Sequence, residues 1–148
     1  MYLVSACLAG INCRYDGGNT ENEIIKNMVK EGKAIAVCPE QLAKLPIPRV
    51  CCEIIIDDDG NKKVMSVDGE DFTEAYRQGA VKTLEICRAS GINEAILQSR
   101  SPSCGYGLIY DGTFSGKRIK GEGLTAELLA KNNIKIYTEF DVDRFEKN

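Results

Sequence analysis

Three cysteines stand at, or just past, the end of short apolar runs: Cys7 after Tyr2-Leu3-Val4, Cys38 after Ala34-Ile35-Ala36-Val37, and Cys104 beyond Ala95-Ile96-Leu97. If these runs are parallel strands of one sheet, their carboxyl ends open on the same edge, where open α/β sheets keep their ligand sites. Thiols from three distant parts of the chain then meet at one point. Thiolates there can be held by free backbone amides and by a metal. Free cysteine is also among the most buried residue types, so three core cysteines are the competing reading. Cys13 adds a fourth thiol, with Gly10 between it and Cys7 to let the loop fold back. Four thiolates make a closed zinc or iron-sulfur site, whereas three leave one metal position open.

What is missing narrows the chemistry further. The chain has seven cysteines and no histidine. That removes Ser-His and Cys-His nucleophile pairs, mixed Cys/His zinc sites and the commonest general base. Proton transfer falls to carboxylates, hydroxyls, thiols or amines. Glu40, two residues beyond Cys38, is placed to act as such a base. Ser101 and Ser103 offer hydrogen bonds to a substrate or cap their own loop. Arg14, Tyr15 and Asp16 offer polar and stacking contacts or form a turn with Gly17 and Gly18. Arg49 reads as a structural or pocket cation. Side chains of Cys51 and Cys52 alternate along an extended segment, so one is expected to be buried and one peripheral. Cys87 belongs to a helix stripe and reads as core.

The elements that must position these groups follow from the pattern. Residues 2 to 7 read as a first strand and Leu8 to Asn19 as a loop. Thr20 with Glu23 has the spacing of a capping box, opening a helix through about Glu31 with Ile24, Ile25, Met28 and Val29 as its stripe. Lys33 to Val37 is a second strand, which makes a β-α-β unit with parallel strands. The runs Val50 to Ile56 and Lys63 to Val67 flank Asp57-Asp58-Asp59-Gly60-Asn61 and predict an antiparallel hairpin. A long helix over Asp71 to Ala89 carries Phe72, Tyr76, Ala80, Thr83 and Cys87 on one face and ends at Gly91. After a strand at Glu94 to Gln98 come a polar loop to Gly105 and an aperiodic stretch, Tyr106 to Gly123, read as an ordered loop over a site. Thr125 is expected to cap a helix to Asn132, before a last strand at Ile134 to Thr138. The whole predicts a three-layer, Rossmann-like α/β domain over residues 1–148, with a mainly parallel sheet and a small antiparallel hairpin.

Composition excludes several classes. A chain of 148 residues, 43% hydrophobic and 28% charged, has the usual character of a folded globular domain. A net charge of −3 with scattered Lys and Arg disfavours nucleic acid as a partner. No run reaches a membrane span, and the expected setting is the reducing cytoplasm, where clustered cysteines bind metal or do chemistry. A small-molecule ligand is expected.

Four blocks resemble the signatures of the thiouracil desulfidase (TudS-like) family. They are Ser5-Ala6-Cys7-Leu8-Ala9-Gly10 with Cys13-Arg14-Tyr15-Asp16-Gly17, Cys38-Pro39-Glu40-Gln41, Pro48-Arg49, and Ser101-Pro102-Ser103-Cys104-Gly105. The resemblance spans nearly the whole chain. It implies an oxygen-sensitive [4Fe-4S] cluster on Cys7, Cys38 and Cys104, liable to be absent from aerobically prepared protein. Cys13 is left as a fourth ligand or a pocket residue. The fourth iron would take the sulfur of a thiolated nucleobase, with Glu40 and Ser101 assisting proton transfer and substrate placement. The reaction it implies releases sulfide and the oxo base without net electron transfer. The chain departs from the family at Leu42-Ala43-Lys44, where paired glycines are usual, and at Val50-Cys51-Cys52. A structural zinc-binding module on the same thiols is the alternative, and an electron carrier ranks last because Cys-x-x-Cys ligands are absent.

Overall fold

The structure, a computed structural model, describes residues 1–144; the end of the 1–148 span lies outside them. In chain order its elements are β1 (Tyr2–Ser5), α1 (Glu23–Lys30), β2 (Ala34–Val37), α2 (Pro39–Leu42), β3 (Cys52–Ile56) and β4 (Lys62–Ser66). There follow α3 (Thr73–Ser90), β5 (Glu94–Leu97), β6 (Tyr106–Tyr110), β7 (Arg118–Glu122), α4 (Leu124–Lys131) and β8 (Lys135–Thr138). Two 3-10 turns, Ala6–Ala9 and Glu139–Arg144, extend β1 and β8.

One sheet organises the chain. Its order is β2-β1-β5-β8, and every neighbouring pair is parallel. Alternation along the strands divides the core. Leu3, Val37, Ala95 and Leu97 pack on Leu84 and Cys87 of α3 and on Ala126 and Leu129 of α4. Val4, Ala34 and Ile96 face the other way, against Ile25 and Met28 of α1. Strands covered on both sides read as unbroken apolar runs, which is why these short segments carry so little polar alternation. The three layers expected from the sequence are present.

The chain leaves β1 for β2 on one side and later returns to β5 on the other. The connections that leave the carboxyl ends of β1 and β5 therefore diverge, which makes a topological switch point, the place where such sheets open a crevice. Two antiparallel hairpins, β3-β4 and β6-β7, stand apart from the sheet.

Several expectations need correction. The first strand stops at Ser5, so Cys7 sits in the 3-10 turn, which Gly10 closes with a φ of 90°. The α1 cap is Asn22, whose side-chain oxygen accepts from Ile24 and Ile25 at 3.0 and 3.3 Å. Asn caps at least as well as Thr and stands next to the first helical residue, which leaves the Thr20 hydroxyl for another use. Tyr106 to Gly123 is a hairpin, not a loop. Gly107, Gly112 and Gly116 take positive φ within it and interrupt the alternation on which a strand reading depends. Thr125 lies inside α4, after a Gly123 cap.

Candidate functional site

A cavity of about 590 Å³ opens at the switch point. Each strand end contributes to it. From β1, the Ser5 hydroxyl accepts the Gln98 amide at 2.9 Å, tying the ends of β1 and β5 together. The Cys7 thiol donates to Gln98 Oε1 at 2.9 Å. From β2, the chain passes through Cys38 directly into α2, where Pro39 starts the helix and places Glu40 in its first turn. Beyond β5, the Ser101 hydroxyl accepts the amides of Ser103 and Cys104 at 3.0 and 3.1 Å, folding the turn that carries Cys104.

Cys7, Cys13, Cys38, Cys104, Glu40 and Ser101 all line this one cavity. Cys13 bridges two of the other thiols. Its hydrogen bonds draw Cys7 and Cys38 below the ordinary thiol range, against the opposing effect of burial. The same bonds, first to Cys38 and then to Cys7, push Cys13 itself far up. Burial holds Cys104 well above its usual value, and the Glu40 carboxylate adds to that. Two cations assist in a smaller measure, Arg14 lowering Cys7 and Arg49 lowering Cys38.

Glu40 is half-partnered. Arg49 Nη2 lies 3.2 Å from Glu40 Oε2, and both side chains are buried, at 7% and 12% exposure. The same nitrogen donates to the Cys13 carbonyl at 3.0 Å, and Nη1 to the Pro46 carbonyl at 3.3 Å. Burial alone would lower the Arg49 pKa, but the Glu40 carboxylate raises it on balance. Glu40 Oε1, by contrast, is buried with no hydrogen-bond partner. A buried acceptor without a partner is costly, and such an atom at a cavity wall marks a place for an absent donor.

Some groups fall elsewhere than expected. The Ser103 hydroxyl is buried and paired with Thr125 at 3.0 Å, so it does not face a substrate. Cys51 and Cys52 both line the cavity rather than dividing into one core and one peripheral residue. Cys51 precedes β3, where strict alternation has not begun, and burial pushes Cys52 up to about 11. Cys87 is core as expected, fully buried and likewise raised to about 11. Asp16 serves its own turn, accepting the Gly18 amide at 2.9 Å and pairing with Arg14 at 3.6 Å.

Several cavity residues escaped the sequence reading, Gln98, Thr20 and Tyr76 among them. Gln98 is a polar residue closing an apolar run, the same signal that singled out Cys7 and Cys38. Thr20 faces Cys7 with a buried hydroxyl that has no closer partner. Tyr76 was legible only as part of the α3 stripe, yet it also lines the cavity wall.

The donor set suits an iron-sulfur cluster. Six soft thiols line the cavity without imidazole, Cys7, Cys13, Cys38 and Cys104 joined by Cys51 and Cys52, beside buried polar atoms left unpartnered on Glu40, Thr20 and Arg49. Among the described residues no three Cys, Asp or Glu side chains are gathered closely enough for one metal ion. A four-iron cube takes its ligands at separate corners, so it does not require that closeness.

Fold and site together define a class: a Rossmann-like α/β protein whose sheet edge holds a thiol-lined cavity at its switch point. Residues 2–141 match the model of the 2-thiouracil desulfurase family, and the chain belongs to that family. It is 44% identical to the uncharacterized protein YbbK of Bacillus subtilis (strain 168), over 97% of this chain and 98% of that one. Among solved structures it is similar to the [4Fe-4S]-dependent thiouracil desulfidase TudS, with a TM-score of 0.88 and 36% identity. That match covers 99% of this chain and 95% of the other.

Proposed function

We propose that the protein is a desulfidase that hydrolyses the thiocarbonyl of a thiouracil-like base to the carbonyl, releasing sulfide, with a [4Fe-4S] cluster held by Cys7, Cys38 and Cys104. The observation that carries the reading is the convergence of these thiols on one cavity with a buried, half-partnered carboxylate, in a chain of this family. When bound, the cluster would supply a soft Lewis acid for the exocyclic sulfur of the base. Thiocarbonyl and carbonyl carbon share an oxidation level, so thiocarbonyl and water give carbonyl and hydrogen sulfide with no electrons exchanged.

The remaining work belongs to side chains. Arg49 fixes Glu40 Oε2, which leaves Oε1 to accept a proton from the attacking water. The same carboxyl returns the proton to the departing sulfur. The Ser101 oxygen is committed to two backbone amides, but its own proton remains to donate to a ring heteroatom of the base. Cys13, bonded between Cys7 and Cys38, is read as a cavity residue and not a fourth ligand. Seven free cysteines suit a reducing cytoplasm. Among the described residues no helix is long and apolar enough to cross a membrane.

Anaerobic reconstitution tests the reading. The loaded protein should hold about four irons and convert 2-thiouracil to uracil and sulfide without an added reductant. Glu40→Gln should keep its iron but lose about 10²–10⁴-fold in kcat, the usual worth of a general acid-base step. Full activity in that variant removes Glu40 from the mechanism. Stoichiometric zinc with no capacity for iron would point instead to the binding module.

A further inference from the structure

Glu53 is a buried carboxylate, 6% exposed, that takes no part in the chemistry above. Its Oε1 accepts two backbone amides from the β6-β7 turn, Gly112 at 3.0 Å and Phe114 at 3.1 Å. Gly112 is pressed against the backbone of β3, where an added Cβ would lie 2.8 Å from the Ile54 carbonyl. One hairpin thus anchors the tip of the other over the cavity. The tip carries Phe114 with a φ of 56°, left-handed backbone that bulky side chains avoid. Asp111 braces the same turn by accepting from the Thr113 amide at 3.0 Å.

Such strain persists only where the surroundings enforce it, and here they enforce it on an aromatic residue that lines the cavity. Among the described residues four aromatic side chains line it. The Arg14 guanidinium covers the face of Tyr15 at 5.8 Å. Tyr76 is buried, with Glu40, Cys52 and Arg49 around its hydroxyl. Tyr110 is fixed in the register of β6, opposite Arg118. Phe114 has no polar group to satisfy, is half-buried, and is held at the cavity margin by its own amide.

We propose that Phe114 is the specificity-determining face on which the planar heteroaromatic ring of the substrate stacks, and that Glu53 is the positioning residue that holds it there. The proposal rests on the reading of the substrate as a thio-base. It adds a selection for flat, conjugated rings over saturated ones of the same size and polarity, since an aromatic face rewards overlap with another π-face.

Titration calorimetry of cluster-loaded protein with uracil and with 5,6-dihydrouracil tests this without requiring turnover. Wild type should bind uracil more tightly than its saturated analogue. Phe114→Leu should weaken uracil about 10-fold, within the range that base stacking contributes, and leave dihydrouracil unchanged. Phe114→Tyr should recover uracil binding. Glu53→Ala should reproduce part of the loss and add little in the Phe114→Leu background, whereas Glu53→Gln, which keeps an acceptor, should recover most of it. In turnover the loss should appear in KM rather than kcat. Equal loss for both ligands, uracil binding indifferent to Phe114, or no uracil binding by wild type each overturns the proposal. Phe114-dependent binding in a protein that desulfurates nothing would instead overturn the reaction and support the stacking face.

Discussion

Lys44 shows how a single residue can carry the trace of a requirement it does not meet. It follows α2 with a φ of 65°, in the stretch where the family usually carries paired glycines, and its amide closes the turn onto the Gln41 carbonyl at 2.9 Å. The backbone there is left-handed, a conformation that a side chain with a Cβ disfavours. Lys44 is exposed, so nothing in its packing offsets the strain. Lys44→Gly should raise stability by roughly 0.5–1 kcal/mol, because relief of left-handed strain outweighs the extra entropy that glycine loses on folding. Thermal melts of the two proteins check this, and an unchanged or lower melting temperature would contradict the strain. Residues such as Cys7 and Cys38 were legible because each ends an apolar run. Gln98 ends such a run as well, whereas Thr20 was masked because its spacing from Glu23 reads as a helix cap.

At the scale of elements, the site depends on a helix contact directly behind Cys38 and Glu40. Gly79, in the middle of α3, lets that helix lie directly against the Pro39 carbonyl of α2; a Cβ there would meet that oxygen and sit 3.5 Å from Ala43 Cβ. The helix α2 runs straight on from Cys38 and carries Glu40, so pressure at Gly79 is felt at both. Ala normally stabilises a helix interior by about 1 kcal/mol over Gly. Here Gly79→Ala should instead cost about 1–3 kcal/mol, as overpacking does, and lower the iron retained after reconstitution. Urea melts with iron analysis read both effects. A stabilised variant with full iron would mean that α2 tolerates displacement. The β1-α1-β2 unit behind this arrangement was readable from period and turn residues. The β6-β7 hairpin was not, since Gly107 takes positive φ inside β6 and a glycine-rich turn with Gly112 and Gly116 follows, and with it the Glu53 anchor stayed hidden.

For the whole molecule, the consequence is that the cavity joins segments that only the native topology brings together. Cys7, Cys38 and Cys104 lie on three different connections of the sheet, and the unfolded chain has no means of presenting them as one set. A group bound by all three therefore binds the native state alone and stabilises it by linkage, about 2.7 kcal/mol when present at 100 times its dissociation constant. For a chain of this size each kcal/mol moves the melting temperature by roughly 2–4 °C. Anaerobically loaded protein should thus unfold about 5–10 °C above the unloaded form. Cys104→Ala should abolish both the iron and this difference. Cys87→Ala, within the α3 core, should lower both melts alike while the iron stays. Cys13→Ser should keep its iron as a cavity residue. Iron retained in Cys104→Ala, or loading without any shift in melting, would show that the three sulfurs do not share one cofactor, however closely their strands converge.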